Sequence, residues 1–137
     1  MNEAKGFDVA KQVVLESWLQ VKGNKGSAGI DGIALKSYES NLQKNLYKLW
    51  NRMSSGSYFP KAVRLVEIPK PNGGKRPLGI PTIGDRVAQM VVVMYIAPRL
   101  EVIFHDDSYG YRPMSSAHSA IAKAIERCNE NLWVHVW

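Results

Sequence analysis

Lysine and arginine crowd one short stretch of this chain, where Lys61, Arg64, Lys70, Lys75 and Arg76 stand against the single carboxylate of Glu67. Cations of these two kinds hold phosphate oxygens, lysine as a point charge and arginine as a planar fork that takes two oxygens at once. Through them runs EIPKPNGGKRPLGIP, Glu67 to Pro81, with Asn72-Gly73 at its centre. The formal net charge of the whole chain is +6, and most of that excess sits here, which implies a polyanionic partner.

The elements that must present these cations are two strands. Val63 to Ile68 is β-branched and apolar enough for one, and Leu78 to Ile80 is a shorter second. Asn72-Gly73 between them predicts a type I′ turn, whose two central residues both take positive φ. Pro69, Pro71 and Pro77 cannot donate ladder hydrogen bonds, so tight pairing is expected to stop short of the tip and leave it projecting.

Helices surround the hairpin in the periodicity. Ala10, Val13, Val14, Trp18 and Val21 fall at helical spacing and predict a helix from Asp8 to Lys22, ended by Gly23. Leu42, Leu46, Leu49, Trp50 and Met53 predict a second from Tyr38 to Ser54. Thr82 and Asp85 have the spacing of a capping box for a third, in which Pro98 should introduce a kink or a division. The apolar run Met90 to Ala97 is too short to span a bilayer and is expected to be buried. Pro113 suits the first turn of a fourth helix with Ala117, Ile121, Ile125 and Cys128 facing inward, and Leu132 to Trp137 reads as a last strand. With 137 residues, 45% of them hydrophobic, one domain spanning 1–137 is the economical expectation. A single cysteine and no secretory signal core suit a cytoplasmic protein with no membrane segment.

Glu67 to Pro81 resembles the fingers motif of group II intron reverse transcriptases, or maturases, typically IPKPxGxxRPLGIP. The neighbouring blocks follow in the family's order: Gly23 to Gly32 (GNKGSAGIDG), Tyr58 to Pro60, Thr82 to Phe104, and Ser108 to Pro113 (SYGYRP). The resemblance covers roughly residues 20 to 137. It implies an α+β, helix-rich fingers subdomain with an antiparallel hairpin, a fragment of a right-hand polymerase.

The resemblance also implies roles. Lys70 and Arg76 match the fingertip lysine and arginine that fold over the triphosphate of the incoming dNTP. Lys25, Gly26, Lys61, Arg64, Lys75 and Arg112 are the residues expected to contact nucleic acid. The family's paired catalytic aspartates, which hold two Mg ions, would fall just beyond Trp137 and further on, so the chain reads as a fingers fragment with no catalytic residue, no metal ligand and no cofactor of its own. Alone it should be inert; Mg is expected for the complete enzyme. Its partners would be template or intron RNA, with DNA primer and dNTP in the complete enzyme. Surface uncovered near Val91 to Val93 and Leu132 to Trp137 would favour a homodimer. The alternative is a free-standing RNA-binding maturase-like module without polymerase activity.

Other residues carry weaker chemistry. Gly23, Gly26, Gly29 and Gly32 form a loop whose backbone can approach a nucleic-acid backbone closely, without the Gly-Lys-Ser/Thr of a Walker A loop. Tyr109, Tyr111 and Arg112 suit stacking on nucleotides; the competing reading packs both tyrosines beneath the loop and pairs Arg112 internally. His105-Asp106-Asp107 has ligand chemistry, but three adjacent residues rarely converge on one metal.

Overall fold

The computed structural model describes residues 8–131. In chain order the elements are α1 (Lys11–Gly23), α2 (Leu35–Glu39), α3 (Leu42–Ser54), β1 (Arg64–Pro69), β2 (Lys75–Ile80), α4 (Ile83–Glu101) and α5 (Ala117–Asn131). The described residues are thus α+β, five helices and a two-stranded antiparallel hairpin. They form two units, up to Tyr95 and from Ile96 onward, which are taken in turn. The expected last strand, Leu132 to Trp137, lies outside the described residues.

In the first unit, Val14, Trp18 and Val21 from α1 meet Ile83, Val87, Ala88 and Val91 from α4, with Tyr38 and Leu49 completing the buried cluster. Trp18 and Tyr38 stack with ring centroids 5.2 Å apart. Helix α1 begins at Lys11 rather than Asp8 because the lead-in is held extended: the Trp50 indole donates to the Val9 carbonyl at 2.7 Å, and the Ala10 amide to the Tyr95 hydroxyl at 2.9 Å. The helix expected from Tyr38 to Ser54 is two helices. Asn41 leaves helical geometry at φ −121°, ψ 34°, and the Ser40 hydroxyl turns back to the Ser37 carbonyl, the local competition that makes Ser and Asn poor in helix interiors. The Asn45 amide spans the break by donating to the Tyr38 carbonyl at 2.9 Å.

The turn differs from the type I′ expectation, and the reason is Pro71. A two-residue Asn72-Gly73 loop would be closed by a Pro71–Gly74 pair, which needs a donor that proline lacks. The loop instead takes three residues: Gly73 N–H donates to the Lys70 carbonyl at 3.1 Å and Lys70 N–H to the Gly74 carbonyl at 2.7 Å. Of the two central residues only Gly73 has positive φ, +82°. This is a type I turn with Pro71 at its favoured second position and glycine in the left-handed place of a bulge. Pairing does not stop short of the tip either; it runs from Arg64↔Ile80 out to Pro69↔Lys75. From the Lys70–Gly74 bond, the alternation of an antiparallel ladder puts Pro69 and Pro77 at non-hydrogen-bonded positions, so neither removes a ladder bond.

Thr82 caps α4 as expected: Asp85 N–H donates to Thr82 Oγ1 at 3.2 Å, and Thr82 Oγ1 donates to Asp85 Oδ2 at 2.6 Å. The run Met90 to Ala97 is not wholly buried. Helical period turns Val91 into the core and leaves Val92, Val93 and Ile96 exposed. Pro98 lies inside a helix that continues to Glu101 and does not divide it.

In the second unit, α5 starts after Ser116, whose hydroxyl accepts the Ser119 N–H at 3.1 Å, and Pro113 lies in the preceding turn rather than in the helix. Ala117, Ile121 and Ile125, expected to face inward, are exposed, and Cys128 is half-buried. The stripe is real in the sequence, but no described element of this unit covers it. Arg127 donates to Asp107 at 2.7 Å and holds that carboxyl below the usual carboxylate range.

Among the described residues no helix is long and apolar enough to cross a membrane.

Candidate nucleic-acid interface

The register decides which cations act together. Side chains alternate across a hairpin, so Arg64, Ile68, Lys70 and Arg76 share one face, while Glu67 and Lys75 share the other. On the second face Lys75 Nζ pairs with Glu67 at 2.7 Å, an exposed contact of little energetic weight. On the first, Lys70 and Arg76 are diagonal neighbours, both exposed, and neither side chain has a hydrogen bond or ion pair with any described residue. The Lys70 stem passes over Gly74, 3.7 Å from where a side chain there would begin.

Arg64, at the base of the same face, reaches the glycine-rich loop and donates to Ser27 Oγ at 3.2 Å, with its Nε buried and unpartnered. Arg86 on α4, which no motif singles out beyond its place one turn into the capped helix, donates to the Ser27 carbonyl. The loop is therefore tied to the hairpin and to α4. Gly29 makes the tightest approach: an added Cβ would lie 2.6 Å from Thr82 Cα and 2.7 Å from Thr82 N. Backbone atoms cannot step aside as a flexible side chain does. Gly29→Ala is therefore expected to destabilise the chain by about 1–3 kcal/mol, as overpacking does; an unchanged denaturation midpoint would show that the loop is not seated there.

Lys25 has positive φ, +54°, and is exposed, its ammonium without a partner among the described residues, and Gly26 follows at φ +115°. Lys61 pairs with Asp31 at 3.4 Å. Arg112 belongs to the second unit and is engaged there: it pairs with Glu101 at 2.7 Å, donates to the His105 and Ser108 carbonyls at 2.8 and 3.0 Å, and has a side chain only 14% exposed. Tyr111 beside it is fully exposed at φ +57°.

Beneath Lys61 lies a buried carboxylate. Asp85 accepts from the hydroxyls of Tyr58 and Thr82 and, at 3.4 Å, from the Lys61 N–H. Burial, and then the bond to Asp85, carry the Tyr58 hydroxyl above the usual tyrosine range. Burial chiefly, with Asp31 and Asp85 adding, pushes Tyr38 up to about 12. Among the described residues no three His, Cys, Asp or Glu side chains form a group that could hold a metal, so the Mg implied for a complete enzyme finds no ligand set in them.

No family model matches the chain. Curated relatives do. Protein YkfC of Escherichia coli K12 is 43% identical over 93 residues, 68% of this chain and 24% of its own length. The group II intron-encoded protein LtrA of Lactococcus lactis is 37% identical over 105 residues, 76% of this chain and 17% of its own. A COX1/OXI3 intron 1 protein of Saccharomyces cerevisiae is 28% identical over 109 residues, 80% of this chain and 13% of its own. The chain thus spans about a quarter or less of the relatives it matches. Two of these three are named for introns, and the chain is related to the group II intron-encoded proteins of the reverse transcriptase/maturase kind.

Proposed function

We propose that this chain supplies the fingers portion of a right-hand RNA-directed DNA polymerase, gripping template RNA and the triphosphate of the incoming dNTP for an active site completed by other sequence. The supporting observation is the hairpin face on which Lys70 and Arg76 lie side by side, exposed and unpaired, while Lys75 is turned away and tied to Glu67. Preorganised cations of this kind stabilise charge on a transferring phosphoryl group. The glycine-rich loop with Lys25, fastened through Arg64 and Arg86, is the surface we assign to the template. Arg112, held by Glu101 and two carbonyls, would act by shaping its loop rather than as a free phosphate donor. Mg and the DNA primer belong to the complete enzyme in this account, and exposed Val92 and Val93 are part of the surface through which further polypeptide or a second copy would pack.

In an enzyme completed with the missing catalytic sequence, Lys70→Ala and Arg76→Ala should each cost about 1.5–3 kcal/mol at the triphosphate, roughly a tenfold to hundredfold loss of catalytic efficiency for nucleotide. Arg76→Lys should rescue only partly, since an ammonium cannot reproduce the fork. Steady-state nucleotide kinetics decide the matter: unchanged nucleotide efficiency with weakened RNA affinity would reassign both residues to general phosphate binding.

A further inference from the structure

A second group of cations lies away from the hairpin. Lys48 and Arg52 stand one turn apart on α3, both exposed, and neither side chain has a hydrogen bond or ion pair with a described residue. They line a cleft of about 240 Å³ that also carries Lys61, the exposed ring of Phe59 and, deeper, Tyr38 and Asp85. The acids in this cleft are already engaged. Asp85 is covered by the Tyr58 and Thr82 hydroxyls and the Lys61 N–H, and Asp31 is paired with the Lys61 ammonium at 3.4 Å. The uncommitted charge is therefore positive.

The Tyr38 hydroxyl makes no hydrogen bond with a described residue and stays protonated across the physiological range, so it remains a donor. Gly84 leaves space before it: a side chain there would begin 4.0 Å from that hydroxyl. An arginine fork, an ammonium and a phenol around one small space are the groups that hold phosphate oxygens. Phe59, 83% exposed at the rim, offers a face on which a base can stack. The volume suits one nucleotide unit, not a duplex.

We infer that this cleft is a second phosphate site, which takes one phosphate of a nucleotide between Lys48 and Arg52 with the adjoining base against Phe59. It stands independently of the role given to the hairpin. The phosphate can come from a single strand or from a free nucleotide, and the two sources are separable.

The test is equilibrium titration of the full chain with a fluorescently labelled single-stranded oligoribonucleotide across a range of salt, with adenosine monophosphate as competitor. Lys48→Gln with Arg52→Gln should weaken binding at least tenfold and reduce the salt slope by about 0.7, the value for one phosphate contact on a single strand. Phe59→Ala should weaken it about fivefold or more without altering the slope. Competition by the mononucleotide, lost in the Lys48/Arg52 variant, identifies a free-nucleotide site; no competition together with weakened oligonucleotide binding identifies a strand site. Both side chains are exposed, so thermal unfolding should be unchanged and confirms that the variant is folded. Wild-type affinity and slope in the Lys48/Arg52 variant would overturn the site. A Lys70/Arg76 double alanine variant run beside it separates the two surfaces: loss confined to that variant overturns the cleft, whereas loss confined to the Lys48/Arg52 variant supports the cleft and leaves the triphosphate role of the hairpin to the nucleotide kinetics.

Discussion

Trp18→Ala is expected to lower stability by about 3–5 kcal/mol, the range for truncating a buried aromatic. Trp18 is 1% exposed and sits where α1 meets α4, so little can collapse into the space it leaves. The stack on Tyr38, 5.2 Å between centroids, is lost as well, and such pairs add about 0.5–1.5 kcal/mol beyond the area they bury. Against a typical domain stability of about 5–15 kcal/mol this is a large share of what holds the chain folded. Trp18→Phe should keep much of the stack and recover part of the loss. Denaturant titration measures both; a midpoint unmoved by Trp18→Ala would show that the core is organised around something else.

Asp85→Ala is expected to cost about 3 kcal/mol, because one side chain serves three groups. Its removal takes the carboxylate from the capping pair with Thr82, strands the Tyr58 hydroxyl, and leaves the Lys61 N–H without its acceptor. The effect has a pH signature. Tyrosines whose hydroxyls are held neutral in the folded state, as Tyr38 and Tyr58 are, contribute stability that is complete below the unfolded tyrosine value of 10.0 and is lost as pH rises above it. Asp85 raises both, so the alkaline loss should be shallower in Asp85→Ala than in the wild type. Unfolding curves measured from neutral pH upward test this, and an identical alkaline slope in the two proteins would separate Asp85 from the tyrosines.

The helices announced themselves by period, and the capping pair Thr82 and Asp85 by spacing, since both signals are local. What escaped the sequence was partly a local contest and partly a matter of partners distant in the chain. The break at Ser40 and Asn41 is a contest between helix and side-chain bonds that periodicity does not register. Val92 and Val93 are as apolar as Val91, and only the placement of α1 decides which of them is covered. Arg86 and the Asp85–Tyr58 bond join residues 59 and 27 positions apart.

The hairpin is the instructive case. Asn72-Gly73 correctly marks a turn, yet the two-residue loop it advertises would pair Lys70 with Lys75 and put Arg76 on the opposite face. The missing donor of Pro71 forces the three-residue loop, and that one-residue shift in register brings Lys70 and Arg76 to the same side. A single proline thus decides which cations can meet one ligand.

The other two prolines bear on what the hairpin avoids. A two-stranded sheet has two open edges, and each invites a foreign strand to dock along its free amides. At non-hydrogen-bonded positions the backbone groups point outward, and those positions include Pro69 on one strand and Pro77 on the other. Each edge therefore lacks a donor where an added strand would need one. The projecting arm can stay uncovered in water, its cations available, without recruiting copies of itself into a growing sheet.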